Sequence, residues 1–181
     1  MAVIQIGDIS ITETEKEGII EYAWNGSRIY RIKVESYPGF VTNVYLLLDG
    51  KVTMIDVGLD GEKARADLET GLEIINSRFR QEVDFEDITD IIITHGHADH
   101  WGMLANPRLK GKNLYIHELD SEVLKDFQSR YARAKARIKR FVNEAGWDLE
   151  MDNIFALDDI QVQIDEYKKS IEIFHDNYLY Y

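Results

Sequence analysis

Through the first third of the chain the apolar positions come in short runs broken by turn dipeptides, the pattern of β-structure joined by tight turns. Asn25-Gly26 separates EYAW from SRIYRIKV, and Asp49-Gly50 separates NVYLLL from KVTMID. Both dipeptides suit a two-residue hairpin, because Gly and Asn or Asp tolerate the positive φ that such turns demand. From Asp60 the period changes. Ala64, Leu68, Leu72, Ile75 and Phe79 recur at helical spacing, so Asp60 is expected to cap a helix that lies on the sheet. DIIIT at 90–94 reads as a buried strand with apolar residues on both faces, and residues 113–116 form a second short strand after Pro107 and Gly111.

Beyond position 111 there is one glycine, Gly146, and no proline, and the pattern turns helical. Phe127, Tyr131, Ala134, Ile138, Phe141, Val142 and Ala145 trace one apolar face, with Gly146 as C-cap. The end admits two patterns. Ile160, Ile164, Tyr167, Ile171 and Phe174 fit a helix, whereas IQVQI at 160–164 and SIEIF at 170–174 alternate as a hairpin does; the hairpin is preferred. The expected organisation is a single domain over 1–181: a β-rich half over 1–117, then a mostly helical segment with a terminal hairpin over 118–181.

Composition narrows the chemistry. A chain of 181 residues, 45% hydrophobic and 30% charged, suits one globular domain that buries about 70% of its unfolded surface. No stretch approaches the ~20 apolar residues of a membrane helix, and the opening MAVIQIGDIS lacks the basic start of a secretion signal. Cysteine is absent, which excludes disulfides and thiolate nucleophiles and leaves any metal to His, Asp or Glu. A cytoplasmic address is the expectation. The net charge of −12 argues against nucleic-acid or membrane partners. One segment runs against it: residues 125–140 carry seven Lys or Arg and one Asp, +6 locally, which leaves −18 elsewhere.

Three of the five histidines fall in THGHADH, residues 94–100, directly after the 90–94 strand. A loop leaving a buried strand reaches the edge of the sheet, where α/β proteins usually keep their chemistry. His95 and His97, two apart across the pliant Gly96, can place two imidazoles on one cation, and Asp99 and His100 just beyond can face a second. Imidazole with carboxylate suits zinc, iron or manganese, and the missing thiolates argue against a purely structural zinc knot. A histidine cluster can also merely cap a helix, but four potential ligands in six residues favour the metal.

A strand followed by THGHADHWG resembles the HxHxDH signature of the metallo-β-lactamase superfamily of metal-dependent hydrolases, and VTMIDVG at 52–58 is similar to that family's strand ending in aspartate. The resemblance covers residues 28–117. It implies an α/β fold, the αββα sandwich, with the active site between the sheet edges. It also implies one or two divalent ions, zinc first and iron or manganese as alternatives. His95 and His97 would serve the first ion, Asp99 and His100 the second, with Asp56 orienting ligands or water from behind. Asp99 would also move a proton during hydrolysis of an ester, thioester, lactone or related bond in a small molecule.

The same resemblance calls for a third His, a bridging Asp and a further His downstream. His117 and His175 are the histidines left. His117 ends LYIH and is expected to cap the helix ELDSEVL, whereas His175 would share a strand face with Ile171 and Ile173 and is the candidate third ligand. With the later motifs missing, the sandwich is expected to be incomplete or completed by another chain, by a second copy, or by a longer form of this chain. The alternative function is a non-catalytic subunit that keeps the fold and binds a partner chain. Arg130, Arg133, Arg137 and Arg140 share a helix face; most such rows are solvated, and the functional reading is docking of an acidic partner or anionic substrate.

Overall fold

The structure, a computed structural model, describes residues 1–126 and, beyond them, residues 129, 130, 132, 133, 136, 137, 140, 144, 146 and 178–180. Among the described residues nine strands form one sheet in chain order: β1 Ala2–Ile6, β2 Ile9–Glu13, β3 Ile20–Trp24, β4 Ser27–Tyr37, β5 Phe40–Leu48, β6 Val52–Ile55, β7 Ile88–Ile93, β8 Asn113–Ile116 and β9 Tyr178–Tyr180. The pairs from β1 to β6 are antiparallel; β6, β7, β8 and β9 run parallel. Helices accompany the sheet, among them α1 Glu62–Phe79, α2 Ala98–Trp101 and α3 Glu118–Lys125. None of the described helices is long and apolar enough to cross a membrane.

Turn chemistry explains the antiparallel half. Asn25 and Gly26 both sit at positive φ, 48° and 89°, and join Trp24 to Ser27 with no further residue, as a primed turn requires. The Asp49-Gly50 hairpin forms with one residue more than expected. Leu48 pairs with Val52, so Lys51 joins the loop, and Asp49 N–H is held by the Lys51 carbonyl at 3.1 Å.

Period-2 burial places the core. Tyr30, Ile32 and Val34 alternate inward along β4, and the register sets Leu46 beside Tyr30, Met54 beside Leu46, Ile91 beside Met54 and Leu114 beside Ile91. α1 covers this face, with Ala64, Leu68, Leu72 and Ile75 buried as the spacing predicts. Gly71 lets it approach: a Cβ there would lie 2.5 Å from Ile32 Cγ2. The opposite face carries half-buried Ile29, Tyr45, Leu47 and Ile55 and the exposed Ile92.

Two expectations need correction. The N-cap of α1 is Gly61, without a side-chain cap; Asp60 instead binds the Arg65 guanidinium at 2.6 Å, which takes the carboxylate away from the helix amides. The C-terminal residues also give a strand that the pattern did not foresee, β9, which pairs parallel to β8 through Leu114, Tyr115 and Ile116. The proposed hairpin at 160–164 and 170–174 lies outside the described residues. Within the expected helix before it, residues 129, 130, 132, 133, 136, 137, 140 and 144 are helical.

Candidate metal centre

Because β6, β7 and β8 run parallel, the residues after them emerge at one edge: Asp56 after β6, Thr94 after β7 and His117 after β8. The antiparallel neighbours bring the end of β4 and the start of β5 to the same edge, which adds Ser36 and Thr42. Asp56 is buried and lies in the left-handed region at φ 59°, a conformation that Asp tolerates better than most residues. Its N–H is held by the Ile92 carbonyl at 2.8 Å. The kink turns its carboxylate back over the β7 end.

That carboxylate organises the loop. Asp56 Oδ1 accepts from Thr94 N–H at 2.8 Å, and the Thr94 hydroxyl stands 2.8 Å from Oδ2 and 3.0 Å from Oδ1. Asp56 Oδ2 lies 2.7 Å from His100 Nδ1, and Thr94 Oγ1 lies 3.0 Å from His95 Nδ1. The assignment that satisfies all partners has His100 Nδ1–H donating to Asp56, Thr94 O–H donating to Asp56 and His95 Nδ1–H donating to Thr94. Both imidazoles then turn Nε2 lone pairs outward.

Those outward atoms form two pairs. His95 Nε2 and His97 Nδ1 stand 3.0 Å apart, and His100 Nε2 and Asp99 Oδ2 stand 3.3 Å apart. Two donors each about 2.0–2.1 Å from one tetrahedral ion stand roughly 3.3 Å from each other, so each pair fits one edge of such a coordination sphere. The His95 ring also lies 4.0 Å from the His100 ring and 4.6 Å from the His97 ring, centre to centre. Burial first, then the neighbouring His100 and His97, holds His95 below the ordinary imidazole pKa, which favours the neutral form that ligation needs. Among the described residues no group of three or more His, Asp or Glu is arranged to hold an ion. The site offers two donor pairs and no closed cage.

Thus His95, His97, Asp99, His100 and Asp56 come together. His117 does not join them: it is the N-cap of α3, its Nδ1 accepting from Leu119 N–H at 3.2 Å. His175 lies outside the described residues. Two groups at the site escaped the sequence reading. Ser36 donates to Thr42 Oγ1 at 2.9 Å, and Thr42 donates to Asp99 Oδ2 at 2.9 Å, a buried relay of hydroxyls onto the candidate ligand. No local signal marks either residue, because partners 57 positions apart are joined only by the strand register.

The model of the metallo-beta-lactamase superfamily matches residues 37–167. Among solved structures, the hydrolase AbOPH of the beta lactamase superfamily is 13% identical over 92% of this chain and 61% of its own, with a TM-score of 0.56, and shares the fold. A metallo-beta-lactamase family protein from Thermus thermophilus is 26% identical over 69% of this chain and 40% of its own, with a TM-score of 0.49. AidC, a dizinc quorum-quenching lactonase, is 14% identical over 99% of this chain and 60% of its own, also at 0.49. The chain therefore spans between 40% and 61% of the length of these three structures. A comparison with curated proteins returns no match. A match over well more than half of the residues, on a sheet whose parallel edge carries the histidine loop, makes this chain a member of the metallo-β-lactamase superfamily.

Proposed function

We propose that the chain is a metal-dependent hydrolase in which His95 and His97 hold one divalent ion and Asp99 and His100 hold a second. The observation that carries this reading is the pairing of outward-facing donors, 3.0 and 3.3 Å apart, behind which Asp56 and Thr94 fix the ring tautomers. Zinc is the first choice, and iron or manganese suit the same donors. His175 is the chain's own candidate for a third donor to the first ion. A divalent ion held there would lower the pKa of bound water toward about 7 and would stabilise charge developing on an attacked oxygen.

The residues divide the remaining work. Asp56 accepts from His100 Nδ1–H and so keeps Nε2 free as a donor atom. Asp99, positioned by Thr42, accepts a proton from the attacking water or passes one to the leaving group. The bond cleaved is an ester, thioester, lactone or related acyl bond of a small molecule. Completion of the sandwich by a second copy or another chain belongs to the same proposal.

The second reading is a partner-binding subunit without chemistry of its own, and the lack of a three-donor group among the described residues favours it. Metal analysis combined with native mass measurement separates the two. Tightly held zinc at two ions per chain, in an oligomer, is the result expected for the hydrolase, with uptake abolished by His95→Ala together with His97→Ala. A monomer that takes up no zinc overturns the hydrolase reading.

A further inference from the structure

Gly96 is the single residue between the two histidines of the first pair, and both of its backbone polar groups are held by side chains. Its N–H donates to Asp120 Oδ1 at 3.0 Å, and its carbonyl accepts from Trp101 Nε1 at 3.1 Å. Asp120 comes from the first turn of α3, 24 residues away, and Trp101 is fully buried at the end of α2. The loop is also pressed against α3: a Cβ on Gly96 would lie 2.7 Å from Val123 Cβ. Glycine is thus required here for close approach and not for positive φ, which Gly96 does not adopt.

We propose that Asp120 is a positioning residue for the His95–His97 pair, acting from α3 through the Gly96 peptide; this rests on the metal reading above. Donor nitrogens must be held to a few tenths of an ångström to meet one ion together. A loop residue with both backbone groups free would let the two rings separate. The carboxylate on one side and the buried indole on the other fix the peptide plane, and the two imidazoles extend from its ends. α3 therefore serves the site without supplying a donor to an ion. His117, which caps α3 through Leu119 N–H, supports it one step further back.

The experiment titrates the metal-free 181-residue chain with zinc alone and reads hydrogen exchange at the Gly96 amide in the same metal-free samples. Asp120→Ala is expected to weaken zinc binding about 10- to 100-fold, the usual effect of losing a supporting partner. It should also speed Gly96 exchange at least tenfold, with the exchange of core β7 amides unchanged. Asp120→Asn keeps the Oδ1 acceptor and is expected to stay within about threefold of the parent in both readings. Gly96→Ala, whose Cβ would meet Val123 Cβ at 2.7 Å, should weaken zinc binding to a similar degree. Parent-like zinc affinity or Gly96 protection in Asp120→Ala overturns the inference, as does an Asp120→Asn variant as weak as Asp120→Ala. A control with His95→Ala and His97→Ala separates the failures. If it abolishes uptake while Asp120→Ala does not weaken it, only this inference falls; if the parent takes up no zinc, the metal reading falls with it.

Discussion

Asp56 and His100, 44 positions apart in sequence, meet at 2.7 Å between the carboxylate Oδ2 and the ring Nδ1. The contact depends on two backbone facts: the left-handed turn at Asp56 straight after β6, and the α2 turn that returns His100 over the sheet edge, where its carbonyl accepts from Val57 N–H at 2.9 Å. With a buried carboxylate behind it, the imidazole carries its proton on Nδ1. The free Nε2 lone pair then faces Asp99.

Replacement of Asp56 separates this tautomer control from stability. Asp56→Ala removes the acceptor of Thr94 N–H, Thr94 O–H and His100 Nδ1–H and is expected to cost about 1–3 kcal/mol in chemical denaturation. Asp56→Asn keeps a side chain that tolerates positive φ, but its amide has one acceptor oxygen for three donors. His100 is then expected to reverse its tautomer, and zinc affinity of the second pair should fall about 10- to 100-fold. Calorimetric zinc titration together with NMR of the His100 ring nitrogens checks both. An unchanged tautomer with unchanged affinity would remove Asp56 from the site.

Thr42 tests the hydroxyl relay. Thr42→Val has nearly the same shape but removes the donor to Asp99 and the acceptor for Ser36, both buried. The expected result is a loss of about 1 kcal/mol or more in stability and weaker binding of the second zinc. Thr42→Ser, which retains the hydroxyl, should behave like the parent in both measurements. Equal behaviour of the two variants would mean that the relay does not position Asp99.

What the sequence revealed follows the range of each interaction. The Asn25-Gly26 turn, the α1 stripe from Ala64 to Ile75 and the strand β7 are set by neighbours a few residues apart and are legible as patterns, but the expected burial of β7 on both faces is not met, because Ile92 lies on the outer face and is exposed. The proximity of His95, His97, Asp99 and His100 is legible because they are close neighbours in sequence. Asp60 misled because a cap and an ion pair compete for one carboxylate, and Arg65 won. Thr42, Ser36 and Asp120 stayed hidden because their partners lie 57, 6 and 24 positions away, across a register or an interface that no local pattern encodes. The β9 strand escaped for the same reason, since parallel pairing needs a long crossover.

Gly71 sets the distance between α1 and the sheet. Glycine in a helix interior usually costs about 1 kcal/mol relative to alanine, so propensity alone predicts that Gly71→Ala stabilises. Its Cβ would meet Ile32 Cγ2 at 2.5 Å and two further Ile32 carbons at 3.1 Å, in a core where Ile32 is 1% exposed. Overpacking of this kind costs about 1–3 kcal/mol, which outweighs the propensity gain. Thermal unfolding should show a net loss for Gly71→Ala, and Ile32→Val in the same chain should return part of it. A more stable Gly71→Ala would show that the helix can move outward freely.

Asp90 governs the response to acid. It is buried beside Lys51 Nζ at 2.9 Å and also bonded to Thr89 at 2.8 Å and Asn113 at 3.1 Å. Lys51 first, then hydrogen bonds from Thr89, Asn113 and Tyr115, holds its carboxyl well below the usual carboxylate range, against burial, which acts in the opposite sense. A folded pKa below the unfolded value of about 3.9 means that the unfolded chain binds the proton more readily. The stabilisation is therefore fully present above pH 4 to 5 and is lost as the pH falls through the lower folded value. Asp90→Asn removes the charge and is expected to cost about 1–3 kcal/mol at pH 7. The gap between variant and parent should narrow steadily as the pH falls below about 5, because the unfolded parent takes up a proton at this carboxyl while the folded parent stays ionised, which draws the parent toward unfolding. Urea unfolding at pH 7, 5, 4 and 3 measures this. A gap that stays constant over that range would assign the cost to lost packing and hydrogen bonding, and the Lys51–Asp90 charge pair would then contribute nothing to stability.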